Sequence, residues 1–298
     1  MIRPVSLALL AAALLALVPS AAHAASDRDA ARSGAAWLAR ALPTGGDGQA
    51  ADTLVALRAA GRLSGSDAAR RASALRNGVG RYARTAGATG KVILGLAAAR
   101  AGNPRCAGRT DLLRRLNGFG RRGRYGTTIF DQTLGMLAAH VLRAGPSRNA
   151  DGVLLGARGG GGWNFNLSRS GGRPDDVTST AMAILAARAA GVSPRNGTLR
   201  AGLRWMLAQR TASGGFALGR RDRTEANSTA LALEAQRAMG RRDTRAARAL
   251  RTLQRGGGAF QFTRDDAGSR LLASVDAVVA LAGRRLPVAT AGRRPGGC

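Results

Sequence analysis

The sequence predicts an all-α protein of about six helical hairpins. Three observations carry that prediction: a repeated segment, a pair of contrasting helices in each copy, and a glycine-rich turn at the same place in successive copies. The repeat is plainest where Thr178-Ser179-Thr180-Ala181-Met182-Ala183-Ile184-Leu185 is laid on Asn227-Ser228-Thr229-Ala230-Leu231-Ala232-Leu233 with Thr180 over Thr229, an offset of 49 residues. Both copies run on to a glycine, Gly191 and Gly240, and weaker copies start at Ala51, Lys91, Asp131 and Ser274. Six units of about 46 residues then fill the chain beyond its first 24 residues.

Within each unit the second helix is apolar all round, as from Val177 to Ala187 and from Leu271 to Ala282, so it must be buried. The first is amphipathic. Leu199, Leu203, Met206 and Leu207 form a stripe that Arg200, Arg204 and Arg210 avoid, while Arg242, Arg245, Arg248 and Arg251 lie opposite Ala246, Ala249, Leu250 and Leu253. That helix is expected to face solvent. The turns between them read Gly159-Gly160-Gly161-Gly162-Trp163, Ser213-Gly214-Gly215-Phe216 and Gly256-Gly257-Gly258-Ala259-Phe260, where glycine permits left-handed backbone and the aromatic staples one unit to the next. Buried inner helices inside exposed outer ones predict a closed α/α ring, although an open solenoid satisfies the same pattern.

Residues 1–24 have the form of a secretory signal peptide: Arg3, an apolar run from Leu7 to Val18, and Ala22-His23-Ala24 as a small-x-small cleavage site. The expected organisation is therefore a leader over 1–24, a repeat domain over 25–283 and a flexible C-terminal tail over 284–298, exported or held at the cell envelope after cleavage near Ala24. Cys106 and Cys298 permit one disulfide in such a compartment, the alternative being two free or intermolecularly paired thiols.

The chain carries 46 Lys+Arg against 17 Asp+Glu, a net charge of +29, and Lys91 is its only lysine. A GC-rich coding bias accounts for arginine in place of lysine. The arginines spread over every outer helix and no nucleic-acid-binding module is present, so specific nucleic-acid recognition is not expected. A broad cationic shell suits anionic envelope polymers or lipid headgroups.

Trp205-Met206-Leu207-Ala208-Gln209-Arg210-Thr211-Ala212-Ser213-Gly214-Gly215-Phe216, followed by Ala226-Asn227-Ser228-Thr229-Ala230, with Gly161-Gly162-Trp163-Asn164-Phe165 and Pro174-Asp175-Asp176-Val177-Thr178-Ser179-Thr180-Ala181, resembles the prenyltransferase and squalene-cyclase repeat. The resemblance is strongest from about Leu154 to Leu281. It implies an α/α toroid of inner and outer helical rings, a fold shared by triterpene cyclases, protein prenyltransferase β-subunits and transcobalamin-type carriers, and it does not imply an activity. Hopene-type cyclases protonate their substrate from an Asp-x-Asp-Asp-Thr-Ala motif. The aligned stretch here is Asp176-Val177-Thr178-Ser179-Thr180-Ala181, which puts hydroxyls where two of those carboxyls belong, and a hydroxyl is far too weak an acid to protonate an alkene. The Asp/Cys/His zinc site of the protein prenyltransferases has no counterpart either, so no zinc site and no cofactor are expected.

The expected function is a monomeric, non-catalytic binder of an apolar or amphipathic small ligand, or an envelope scaffold. The alternative is a divergent terpene cyclase or prenyl-diphosphate enzyme using Asp175, Asp176 or Asp131. Asp52, Asp131, Asp176, Asn227 and Asp276 stand near the starts of inner helices, where they cap helix ends or gather as a polar collar at one mouth of a cavity. Phe130, Trp163, Phe165, Phe216, Phe260 and Phe262 are candidates for the cavity wall, with packing between repeats as their other reading. His140, in an apolar stretch, reads as a core or rim histidine.

Overall fold

The computed structural model describes residues 26–41, 47–169, 174–219, 223–292 and 294–298. The expected signal peptide lies outside them. Among the described residues the protein is all-α, with twelve α-helices and one two-stranded ladder. Six helices are short or amphipathic: α1 (Asp27–Arg40), α3 (Gly65–Tyr82), α5 (Leu112–Phe119), α7 (Ala150–Gly156), α9 (Gly197–Ala208) and α11 (Thr244–Arg251). These alternate with α2 (Asp47–Ala59), α4 (Ala86–Ala99), α6 (Ile129–Val141), α8 (Val177–Ala189), α10 (Ala226–Ala238) and α12 (Arg270–Leu281), which are apolar and almost wholly buried. The ladder pairs β1 (Cys106–Ala107) with β2 (Thr110–Asp111) between α4 and α5.

The buried helices pack in a cyclic order: α2 on α4, α4 on α6, α6 on α8, α8 on α10, α10 on α12, and α12 on α2. They also run in one direction. Near their N-terminal ends the Gly87 amide of α4 donates to Asp131 of α6 and Thr178 of α8 meets Ser228 of α10, while Asn227 in the first turn of α10 donates to Asp276 midway along α12. Near their C-terminal ends Arg58 of α2 reaches the Ala98 and Ala99 carbonyls at the end of α4, and Arg188 of α8 reaches the Ala238 carbonyl at the end of α10. The bundle therefore has an N-terminal face and a C-terminal face with different chemistry.

One device recurs in three units. The aromatic that follows each glycine turn gives its backbone N–H to a hydroxyl inside the next helix: Trp163 to Thr180, Phe216 to Thr229 and Phe260 to Ser274, at 3.0, 2.9 and 2.9 Å. A fourth unit varies it, with Gln132 accepting from Tyr125. A buried N–H needs such a partner, and a hydroxyl inside a helix supplies it while spending no helical hydrogen bond. The rings then pack on glycines of the following outer helix. Trp163 lies on Gly202 of α9, and Phe260 lies on Gly34 of α1, where a Cβ would sit 3.0 Å from the ring and 2.7 Å from Val278. Thus α1 stands to α12 as α9 stands to α8, with the first outer helix seated on the last repeat. Arg251 pairs with Asp27, and Gln254 donates to the Ala30 carbonyl across the same seam.

The described residues of the stretch read as a tail form a strap. After α12 it crosses the C-terminal face: the Leu286 N–H donates to Glu234 of α10, Ala291 pairs with Val141 at the end of α6, Arg143 reaches the Ala291 carbonyl, and Asn103 reaches Gly296. Cys298 ends the strap in a disulfide with Cys106. Leu286 and Val288 pack on the core, a gain invisible in a tail sequence dominated by Arg, Pro and Gly.

Candidate functional site

The N-terminal face carries a half-buried polar group brought together from four inner helices. Lys91 of α4 contacts Asp52 of α2 at 2.5 Å, and Asn227 of α10 donates to Asp276 of α12 at 2.6 Å. Burial pushes the Asp276 carboxyl up to about 6, the Asn227 amide opposing that rise and the charge of Asp52 adding to it. For Lys91, desolvation works against the ammonium, yet Asp52 beside it outweighs the loss and holds its pKa above the ordinary lysine value. The pair and the amide-held acid thus place one ammonium and two carboxyls inside a helical bundle.

The fold also leaves three large apolar side chains exposed: Phe165 (39%) and Leu218 (52%), on the connections that lead to α8 and α10, and Leu272 (38%), in the first turn of α12. Phe130, at the start of α6, meets Phe165 with ring centroids 5.9 Å apart. The carbonyl of Phe165 receives the Ile129 N–H of α6, which fixes the aromatic pair beside the N-terminal face. Phe262 is half-buried, and its carbonyl receives the Ala226 N–H of α10.

Several sequence candidates have other roles here. Trp163, Phe216 and Phe260 have no exposed surface and serve as packing between repeats; this corrects the expectation that they line a cavity, since a ring sealed on all sides offers a ligand no face. Asp175 accepts the Gly161 and Gly162 amides at 3.0 and 2.8 Å and so braces the glycine turn. Asp176 caps α8 through the Ser179 amide and also accepts from the Ser179 hydroxyl, both at 2.7 Å; burial raises its carboxyl above the ordinary value against those bonds. Asp131 accepts from Gly87 and from Thr128 at 2.9 Å each, tying α4 to α6. Of the five residues read as helix caps only Asp176 is one. Thr85 and Thr128 cap α4 and α6 and Ser269 caps α12, while Asp52 and Asp276 stand within their helices. Asp52 and Asp276 lie between one and two turns inside their helices, so an error of that size in locating a helix start turns an interior carboxylate into an apparent cap.

The C-terminal face holds a basin that the sequence reading missed. It encloses about 1360 Å³ and is lined by eight arginines, two aspartates, His140 and part of the strap. Arg237 of α10 reaches the Arg284 carbonyl, as Arg188 reaches that of Ala238, so an arginine near the end of one inner helix satisfies the free carbonyls of the next. His140 holds the corresponding place on α6; burial first, then Arg143 and Arg285, lower its pKa. Beneath the strap, Glu234 is fully buried, and desolvation together with Asp276 raises its carboxyl well above the ordinary range. The repeated Arg188 and Arg237, spaced by the repeat offset, were the available signal.

Among the described residues no group of three or more His, Cys, Asp or Glu side chains is placed to share a metal ion, and no helix is long and apolar enough to cross a membrane. No protein-family model matches the chain, and a search of curated proteins finds no relative for it.

Proposed function

We propose that the protein is an exported α/α toroid of about six helical hairpins that binds a small amphipathic ligand on the N-terminal face of its inner helices, without catalysis. The cyclic packing order and the seat of α1 on the last repeat support the toroid. One observation carries the binding role: Asp52, Lys91, Asn227 and Asp276 form a half-buried polar group within the buried helices, while Phe165, Leu218 and Leu272 expose apolar surface on the connections to α8 and α10 and at the start of α12. An apolar body gains by covering that surface, and a polar head finds an ammonium, an amide and carboxyls in the polar group.

The test is native mass spectrometry of the mature protein from its own host's envelope, with solvent extraction of whatever is bound, beside a Phe165→Ser/Leu272→Ser variant. A defined adduct that disappears in the variant supports the reading. A protein that carries none and ignores prenyl, triterpene and corrinoid compounds refutes it and leaves the scaffold role. The enzymatic alternative predicts turnover of a terpenoid or prenyl diphosphate abolished by alanine at Asp131, Asp175 or Asp176. All three carboxylates here already hold backbone amides.

A further inference from the structure

We infer that the arginine basin on the C-terminal face is a second binding site, for a small molecule or headgroup carrying several phosphates. Its positive charge is not consumed by its own acids. Asp27 and Asp243, the two aspartates in its lining, are paired with Arg251 and Arg210, neither of which lines the basin. Arg188 and Arg237 have a structural task at the helix ends. Arg28, Arg241, Arg242, Arg284 and Arg285 form no ion pair among the described residues and are exposed. They come from three separate parts of the chain: the first turn of α1, the approach to α11 and the strap.

Clustering five unpaired guanidinium groups around one concavity is costly by mutual repulsion unless an anion screens it. Two features suit the basin to an anion. The free carbonyls at the ends of α4 and α10, which would repel an anion, are occupied by Arg58 and Arg188. The strap that brings Arg284 and Arg285 to the rim is pinned by the Leu286 bond to Glu234, by the pairing of Ala291 with Val141 and by the disulfide to Cys106. A guanidinium presents a planar fork of donors that matches a phosphate bidentately, and about 1360 Å³ accommodates a ligand with several such groups. A half-enclosed basin fits a compact polyanion better than an extended duplex, which needs a continuous track.

The inference is tested on the full mature protein with inositol hexakisphosphate by titration calorimetry, and with vesicles containing cardiolipin, whose headgroup carries two phosphates, by co-sedimentation against phosphatidylcholine vesicles. Expected is one-to-one binding of the free phosphate that weakens at least tenfold in Arg241→Gln/Arg242→Gln and in Arg284→Gln/Arg285→Gln. Arg200→Gln/Arg204→Gln, which removes the same charge from exposed positions on α9 outside the basin, should stay within twofold of the parent. Vesicle binding lost in the same two basin variants identifies a lipid headgroup as the source of the phosphates. Equal weakening in the α9 variant would sink the proposal, because binding would then belong to the diffuse cationic shell. Absence of binding to both probes, with circular dichroism unchanged across the variants, overturns it as well. Phe165→Ser/Leu272→Ser should leave this binding untouched, which separates it from the ligand reading for the other face.

Discussion

Asp276 shows how much one side chain gains from its neighbours. In the unfolded chain its carboxyl titrates near 3.8, and in the folded protein burial moves it to about 6. Between those values the native state binds the extra proton, so this residue makes stability fall as pH rises from about 4 to 6, by at most about 3 kcal/mol, and contributes no slope outside that window. Asp276→Asn should flatten this part of the profile in urea unfolding followed from pH 4 to 7, and an unchanged slope would assign it elsewhere. Glu234, raised by burial in the same direction, destabilises at higher pH, and Glu234→Gln should remove that further part. The sequence offered Asp276 as one member of a series of helix-start acids. Its approach to Asn227, and the influence of Asp52 on it, depend on α12 lying between α10 and α2, which no local pattern encodes.

At the scale of the element, the glycine turn and the hydroxyl beyond it act as one unit. Thr180→Val keeps the shape but leaves the buried Trp163 N–H without an acceptor, so it should cost roughly 1–3 kcal/mol, and Thr229→Val should do the same through Phe216. Gly202→Leu should cost a similar amount by driving a side chain into the Trp163 ring, as Gly34→Leu should through Phe260 and Val278. Thermal denaturation of the four variants checks both mechanisms, and a variant within 0.5 kcal/mol of the parent, on the order of an inert surface change, would refute its mechanism. This part was legible in the sequence. Apolar runs and glycine turns recur in the same order along the chain, because each apolar helix is buried in the same way. The sequence left cavity wall and packing both open for the aromatics, since an aromatic beside a turn looks the same whether its ring meets a ligand or a neighbouring glycine; burial decides for packing at Trp163, Phe216 and Phe260.

For the whole molecule, the strap and its disulfide join the end of the chain to the region between α4 and α5, a separation of 192 residues. Cys298→Ser should lower stability by roughly 2–4 kcal/mol, because the cross-link restricts a long stretch of the unfolded chain. Truncation after Gly283 should lower it too, as Leu286 and Val288 leave the core and the Glu234 carboxyl loses its amide. Chemical denaturation under non-reducing conditions measures both, and a truncated protein as stable as the parent would show that the strap does not contribute. By itself the sequence determined the all-α class, the apolar runs that become buried helices and the cationic excess, because periodicity and composition are local and additive. Only the tertiary structure decided which residues meet. Lys91, Asp52, Asn227 and Asp276 converge from four helices, and the arginines of α1, the approach to α11 and the strap gather at one basin. Such meetings follow from the order in which helices pack, and packing order is set by shape and burial summed over the whole chain.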